Sequence, residues 1–105
     1  MKEIDAKTLQ DMRAKGEEFT LVDLREPYET ENCTLGGMPM PMSQLMDRLD
    51  EIPKDRPVVM HCRSGARSKA VVDTLCTRYG FTNLIHLTGG IQAWQAHVDK
   101  SLHCD

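Results

Sequence analysis

The chain has 105 residues, and its 13 basic and 16 acidic side chains give a formal charge of −3 at pH 7. This length suits one domain with a single core, which we place over residues 1–105. The lack of a basic excess argues against nucleic acid as a general partner, and no apolar run approaches the roughly 20 residues that span a bilayer. The polar N-terminal residues lack a signal-peptide core, so we expect a cytoplasmic protein.

The first third of the chain alternates short apolar runs with helical patterns. The apolar runs fit buried strands, and each helical pattern carries a start signal, an aspartate in one case and a proline in the other. In this region we predict a strand at residues 3–4, a helix that Asp5 caps and that runs to about Lys15, a buried strand at residues 19–24, and a short helix from Tyr28 to about Asn32.

The middle of the chain has weaker signals. Adjacent glycines and alternating prolines in residues 36–42 interrupt any strand there, because proline cannot donate to a strand ladder. Ser43 suits the N-cap of a helix that would extend through Leu45 to Leu49. We expect residues 52–57 to form a surface loop.

The stretch from residue 57 to residue 68 carries the strongest signals. A short apolar run at residues 57–60 predicts a buried strand, and Cys62 follows where such a strand would end. Gly65 suits a tight loop, and Ser68 suits the N-cap of the helix that follows. Loop amides and a helix N terminus at one place together favour a bound anion.

The last third of the chain predicts a strand at residues 84–87 and a helix beginning at Ile91, followed by a loosely ordered tail from about Asp99. Strands that alternate with helices over short connections indicate an α/β fold, with a parallel sheet and helices on both of its faces. Ligands bind such sheets at the carboxyl ends of the strands.

Four polar residues lie at predicted strand ends: Asp23, Arg25, Cys62 and Thr88. Arg63 and Arg67 flank the cysteine, and arginines and helix N termini both favour the thiolate form of a cysteine. We therefore interpret Cys62 as a reactive thiol, the alternative being an inert core cysteine. Asp23 and Arg25 either orient a substrate or pair with each other to hold the end of the sheet.

The remaining cysteines are Cys33, Cys76 and Cys104, and no two cysteines of the chain form a Cys-x-x-Cys pair. This spacing argues against a zinc ribbon and against a thioredoxin-type motif. Because nothing indicates secretion, we expect reduced thiols. Cys76 fits core packing, while Cys33 either closes a disulfide with Cys62 or has no redox role.

Three segments together resemble single-domain rhodaneses. Residues 21–29 contain the family's Asp-x-Arg, residues 61–68 match its active-site loop, and residues 80–94 carry Gly-Phe-x-Asn, then Leu-x-Gly-Gly with a tryptophan four residues on. The family's usual Gly-His-Ile-Pro-Gly-Ala segment is replaced here by Cys33-Thr34-Leu35-Gly36-Gly37, apparently one residue shorter.

The resemblance implies a five-stranded parallel sheet and sulfur transfer through a cysteine persulfide. Cys62 takes the place of the nucleophile, and Asp23 and Arg25 match a supporting ion-pairing segment. The residues that match the sulfur-cradling, substrate-binding loop are Arg63, Ser64, Gly65, Ala66, Arg67 and Ser68.

The implied enzyme is similar to thiosulfate sulfurtransferases. Cys62 takes the outer sulfur of a small anionic donor and passes it to cyanide or to a thiol, protein thiols included. This chemistry calls for no cofactor and no metal. His97, His103 and Cys104 resemble metal ligands, but their position in a tail makes a metal site a poor interpretation. Neither nucleic acid nor a membrane is an expected partner.

Two other functions stay open. A phosphatase or arsenate reductase of the same fold uses a similar loop, but by resemblance the phosphatases place five residues between cysteine and arginine, whereas this chain places four between Cys62 and Arg67. A non-enzymatic sulfur carrier or binding module is the other alternative.

Overall fold

A computed structural model describes residues 2–104; Met1 and Asp105, the two ends of the predicted domain, lie outside the described residues. Strands and helices alternate along the chain. The elements are β1 (Lys2–Ile4), α1 (Ala6–Ala14), β2 (Thr20–Asp23), α2 (Pro27–Thr30), β3 (Met38–Pro39), two 3-10 helices (Leu45–Asp47 and Leu49–Glu51), β4 (Val58–His61), α3 (Ala66–Arg78), β5 (Leu84–Leu87) and α4 (Gly90–His97).

The five strands form one sheet in the order β1-β5-β4-β2-β3, and all its pairs are parallel. This confirms the predicted α/β class and the five-stranded sheet. Asp23 pairs with His61 and Met60 with His86, so β2, β4 and β5 end close together at one edge. In the described part of the chain, every helix is too short or too polar to cross a membrane.

Two apolar clusters cover the two faces of the sheet, because successive side chains of a strand point to opposite faces. Val58 and Met60 of β4 pack with α3 and the 3-10 segment, whereas Val59 packs with α1 and α4. Strand β4 is therefore buried on both faces, and the loop that follows it starts from the middle of the sheet.

Residues 43–51 differ from the predicted helix. Two short 3-10 helices replace it, separated at Arg48, whose backbone leaves the helical region at φ −124° and ψ 19°. Ser43 does not cap either of them, since its hydroxyl donates to Glu26 Oε1 at 2.6 Å. The prediction of one helix capped by Ser43 was wrong, because the serine's hydrogen bond goes to a distant carboxylate and the backbone leaves the helical region at Arg48.

Helix α3 begins three residues earlier than the predicted Ser68 cap would require. Gly65 occupies the N-cap position with a φ of 103°, and Ala66 is the first helical residue. This backbone conformation is rare for residues other than glycine. Ser68 therefore lies inside the first turn with its side chain buried, and its assignment as N-cap was wrong.

Cys33 and Cys104 form a disulfide, with their Cα atoms 5.3 Å apart. The expectation of reduced thiols was wrong for this pair, and Cys33 is bonded to Cys104 rather than to Cys62. The tail from about Asp99, which we predicted to be loosely ordered, is also attached by a hydrogen bond from Gln95 Nε2 to Leu102 O. Cys62 and Cys76 are free thiols, and Cys76 packs against the α3-side cluster.

Candidate active site

Cys62 directly follows β4, and two backbone N–H groups point at its sulfur. The amide of Gly65 donates to Sγ at 3.1 Å, and the amide of Ser68 donates to it at 3.4 Å. Gly65 is the N-cap of α3 and Ser68 lies in the first turn of that helix, so the left-handed conformation of Gly65 sets the direction of both donors. Hydrogen bonds to a thiolate favour that charged form over the neutral thiol.

The sulfur also contacts a buried pair of polar side chains. Cys62 Sγ lies 3.6 Å from Ser68 Oγ, which lies 2.9 Å from Nδ1 of His86 on β5. Burial lowers the pKa of His86, Lys69 acts in the same direction, and Glu3 opposes them. The lowered pKa favours the neutral imidazole, and the serine hydroxyl lies between its Nδ1 and the cysteine sulfur.

Cys62 itself is 0% exposed. Its sulfur is nevertheless not surrounded by hydrocarbon alone, because two backbone amides and a hydroxyl contact it. The site is thus a polar cradle whose sulfur is covered by the surrounding residues.

The N terminus of α4 holds the loop from the other side. Ile91 N donates to Cys62 O and Gln92 N donates to Arg63 O, both at 3.0 Å. A Cβ on Gly90 would lie 2.5 Å from Cys62 O and 2.6 Å from Arg63 O, so only glycine allows this approach. From the sequence, the Gly-Gly pair was predicted only to form a turn. Its role in letting α4 approach the loop could have been inferred from its position just after β5, which pairs with β4.

Arg67 turns away from the sulfur toward α2. Its guanidinium donates two hydrogen bonds of 2.8 Å to the two carboxylate oxygens of Glu29. These bonds lower the pKa of Glu29 to about 2 and raise the pKa of Arg67. The charge of Arg67 is therefore matched by a carboxylate that sequence reasoning did not select, and the pair ties α2 to the first turn of α3.

Arg63 is exposed and makes no ion pair with any residue in the range 2–104. It lines a pocket of about 110 Å³ beside the loop. The other residues that line this pocket are Arg25, Tyr28, Glu29, Asn32, Cys33 and Cys104. The exposed guanidinium thus places a positive charge at one wall of this pocket, and no carboxylate of residues 2–104 pairs with it.

Asp23 and Arg25 form a buried pair, with side chains 1% and 2% exposed and a shortest contact of 2.8 Å. Arg25 also donates to Cys33 O at 2.7 Å. These contacts fit the structural alternative, in which the pair holds the end of β2 against the loop before β3. Buried His61 lies 3.8 Å from the Asp23 carboxylate, and burial lowers the pKa of this histidine.

The structure thus brings Cys62, Gly65 and Ser68 together around the sulfur. Arg63, Ser64 and Ala66 have exposed side chains on the same loop. Thr88, expected at the same edge of the sheet, instead donates from its hydroxyl to Ile4 O of β1 at 3.2 Å.

Comparisons with known proteins agree with this geometry. The model of the rhodanese-like domain family matches residues 5–97. A protein named sulfurtransferase from Allochromatium vinosum is 41% identical over 96 residues, which cover 90% of this chain and 89% of the relative. The thiosulfate sulfurtransferase GlpE of Coxiella burnetii is 28% identical over 89 residues, covering 83% of this chain and 81% of the relative.

Among solved structures, the rhodanese-like domain protein of Staphylococcus aureus superposes with a TM-score of 0.81 at 25% identity. The match covers 100% of this chain and 99% of the other. The agreement extends over the whole sheet and its helices.

Proposed function

Because the chain belongs to the rhodanese-like domain family, we propose that it is a sulfurtransferase in which Cys62 carries sulfane sulfur as a persulfide. The donor is a small anionic sulfur compound such as thiosulfate, and the acceptor is cyanide or a thiol, protein thiols included. The observation that carries this proposal is the pair of amides, from Gly65 and Ser68, that donate to Cys62 Sγ.

The first half-reaction loads the cysteine. The Cys62 thiolate attacks the outer sulfur of thiosulfate, a new S–S bond forms, and the original S–S bond breaks. Sulfite leaves with the electron pair of the broken bond. The amides that hold Sγ in place favour the thiolate before attack.

The second half-reaction removes the outer sulfur from the Cys62 persulfide. Cyanide or a thiolate attacks the terminal sulfur of the persulfide, and the bond to Cys62 Sγ breaks with its electron pair on Sγ. The thiolate is regenerated, and the two half-reactions give ping-pong kinetics. Neither step calls for a metal or a cofactor.

The hydroxyl beside Sγ supports the charged form of the cysteine. Ser68 Oγ lies 3.6 Å from Cys62 Sγ and 2.9 Å from Nδ1 of His86, whose lowered pKa favours the neutral imidazole. The serine hydroxyl can therefore donate to the thiolate while His86 stays neutral. Arg63 attracts the donor, since its charge is exposed and unpaired within residues 2–104. The proposed location of the protein is the cytoplasm.

The test is a thiosulfate–cyanide assay on the wild type and on Cys62→Ser, with an aryl phosphate as control substrate. We expect thiocyanate from the wild type only, and no phosphate release. Cys62-dependent hydrolysis of the aryl phosphate without thiocyanate would favour a phosphatase instead.

Mass spectrometry after thiosulfate treatment separates a transferase from a carrier. We expect a gain of one sulfur on Cys62 that disappears when cyanide is added. A gain that no acceptor removes indicates a carrier, and no gain at all indicates a binding module.

A further inference from the structure

We propose that the Cys33–Cys104 disulfide is a second sulfur-reactive site, at which small anionic thiols exchange with Cys104 while Cys33 leaves as a thiolate. This site is separate from the Cys62 chemistry and does not depend on it. Two cysteines 71 residues apart in sequence meet in the wall of the pocket that Arg63 also lines.

The two sulfurs of this disulfide have different surroundings. Cys33 is 7% exposed, and its Sγ lies 3.5 Å from the Arg25 guanidinium nitrogen Nη1. Cys104 is only partly buried and lies at the end of the tail. A thiol arriving from solvent therefore reaches Cys104 first.

The guanidinium makes Cys33 the better leaving group. Thiol–disulfide exchange is faster when the departing sulfur is stabilised as a thiolate, and an adjacent arginine provides that stabilisation. Arg25 is fixed in place, because Asp23 accepts from it at 2.8 Å and the carbonyl of Cys33 accepts at 2.7 Å. The positive charge thus stays beside the Cys33 sulfur whether the bond is closed or open.

The exchange consumes two thiols and leaves a protein dithiol. A thiolate attacks Cys104 Sγ, forming a mixed disulfide, and the bond to Cys33 Sγ breaks with its electron pair on Cys33. A second thiolate then attacks the added sulfur, the small-molecule disulfide leaves, and Cys104 departs as a thiolate. The small thiols are oxidised by two electrons in total, and the protein disulfide is reduced by two.

The charge of the pocket selects among thiols. Among residues 2–104, the carboxylates beside this pocket are already engaged, since Asp23 binds Arg25 and Glu29 binds Arg67. Arg63, exposed on the same pocket, remains to attract a negatively charged thiol. We therefore expect glutathione, whose net charge is negative at neutral pH, to react faster than cysteamine, which is positively charged.

The experiment uses Cys62→Ser protein with its disulfide intact, so that its outcome does not depend on sulfur transfer. The protein is mixed with reduced glutathione, quenched with acid after short times and analysed by peptide mass spectrometry. We expect the early glutathione adduct on Cys104 rather than Cys33 by at least tenfold, with cysteamine slower at equal thiolate concentration. An adduct on Cys33, an equal split, or no adduct on either would overturn the proposal.

Two single variants give a matched check on the asymmetry. Cys33→Ser leaves Cys104 as a free thiol, and Cys104→Ser leaves Cys33. At equal thiolate fraction, oxidised glutathione should modify Cys104 in the first variant much faster than Cys33 in the second. Equal rates would contradict the proposed difference in access.

Discussion

Three arginines lie around the site, and their partners give them different roles. Arg25 is buried against Asp23, and Arg67 is paired with Glu29. Arg63 is exposed and has no carboxylate partner within residues 2–104. At the scale of single residues, Arg63 is therefore the side chain whose charge can act on an incoming anion.

We predict that Arg63→Ala lowers kcat/KM for thiosulfate roughly fivefold, mainly through KM. An exposed charge contributes up to about 1 kcal/mol, which corresponds to that factor. Because salt screens exposed charges, the difference from wild type should shrink as ionic strength rises. Steady-state kinetics at low and high salt measure both effects.

Arg78→Ala is the matched control for this variant. Arg78 is another exposed arginine, and it lies at the far end of α3. Its removal changes the net charge by the same amount and should leave kcat/KM near the wild-type value. An equal loss in both variants would mean that net charge, rather than the position of Arg63, attracts the donor.

Ser68 is the second residue whose role can be measured. We predict that Ser68→Ala slows the alkylation of Cys62 by iodoacetamide at pH 7 about tenfold, because the sulfur loses its hydrogen-bond partner at 3.6 Å.

Ser43→Ala serves as its control, since that hydroxyl binds Glu26 instead. Its alkylation rate should coincide with that of the wild type. An unchanged alkylation rate in Ser68→Ala would contradict a hydrogen bond between the serine hydroxyl and the reactive sulfur.

The sequence was informative about residue types and less so about their partners. The position of Cys62 after a buried strand, with a glycine and arginines in the next five residues, was enough to predict an anion-binding loop. The Glu29–Arg67 pair could not be predicted, because its partners are 38 residues apart in the sequence. The same holds for His86, which sequence reasoning did not select and which reaches Ser68 only through the parallel pairing of β4 with β5.

At the scale of elements, the loop after β4 depends on the N terminus of α4. Two amides of that helix donate to Cys62 O and Arg63 O, and Gly90 permits the close approach. The position of Cys62 is thus fixed from two directions, by the turn into α3 and by the start of α4.

We predict that Gly90→Ala lowers the free energy of unfolding by about 2–4 kcal/mol, because a Cβ there meets backbone atoms and the φ of 57° is unfavourable for alanine. Urea denaturation measures this loss. Sulfur transfer should fall as well, since relieving the clash displaces the carbonyl of Cys62.

Gly80→Ala is the control that separates these two causes. Gly80 has a similar φ of 72°, but a Cβ there meets nothing within 4 Å. Its cost should be only about 1–2 kcal/mol, the penalty of the left-handed conformation, with activity retained. Equal losses at the two positions would remove the proposed close approach as the cause.

The pair that joins α2 to α3 predicts a pH-dependent stability. The folded protein lowers the pKa of Glu29 to about 2, from 4.5 in the absence of its partners. The unfolded chain therefore takes up the proton first as pH falls. The stabilisation is complete above about pH 4.5 and is lost between there and about pH 2.

We predict that Glu29→Gln costs about 1 kcal/mol at pH 7, a value that allows for solvent around the partly exposed Arg67. The difference from wild type should vanish as the pH approaches 2. Denaturation of both proteins at several pH values tests this. Glu31→Gln, an exposed neighbour, should show no such pH dependence, and a constant difference for Glu29→Gln would contradict the assignment.

Element types followed the sequence closely where periodicity and end signals agreed. The strand at residues 84–87 was predicted at its observed bounds, and Asp5 caps α1 by accepting from Thr8 N at 2.8 Å. The helix predicted after Ser43 failed because the serine's partner is Glu26, 17 residues away. Capping rules apply to local hydrogen bonds and do not detect such a competitor.

At the scale of the whole molecule, the disulfide joins the tail to the loop before β3. It closes 71 residues of the chain, and a loop of that length carries a stabilisation of about 2–4 kcal/mol, mostly through the unfolded state. We predict a loss of that size when the bond is reduced, measured by urea denaturation with and without reductant.

Cys104→Ser provides the internal control. Its stability should match that of the reduced wild type, and added reductant should change it no further. A reductant effect that persists in this variant would place the cause outside the disulfide.

The overall topology was predictable because alternating strands and helices leave few arrangements. The disulfide was not, because cysteine spacing does not determine pairing and the tail's path is set by tertiary packing. The expectation of reduced thiols was an argument about the cellular compartment, and such an argument carries no information about the distance between two sulfurs.

The cradle around Cys62 also links chemistry to the order of folding. Gly65 and Ser68 donate to the sulfur, while Ile91 and Gln92 donate to the carbonyls of the loop. The N termini of α3 and α4 must therefore both pack against β4 before the sulfur is held. Partial unfolding at the C-terminal end should therefore release the thiol early. The rate at which a small electrophile labels Cys62 becomes a kinetic reporter of native docking, to be compared with hydrogen exchange at those four amides.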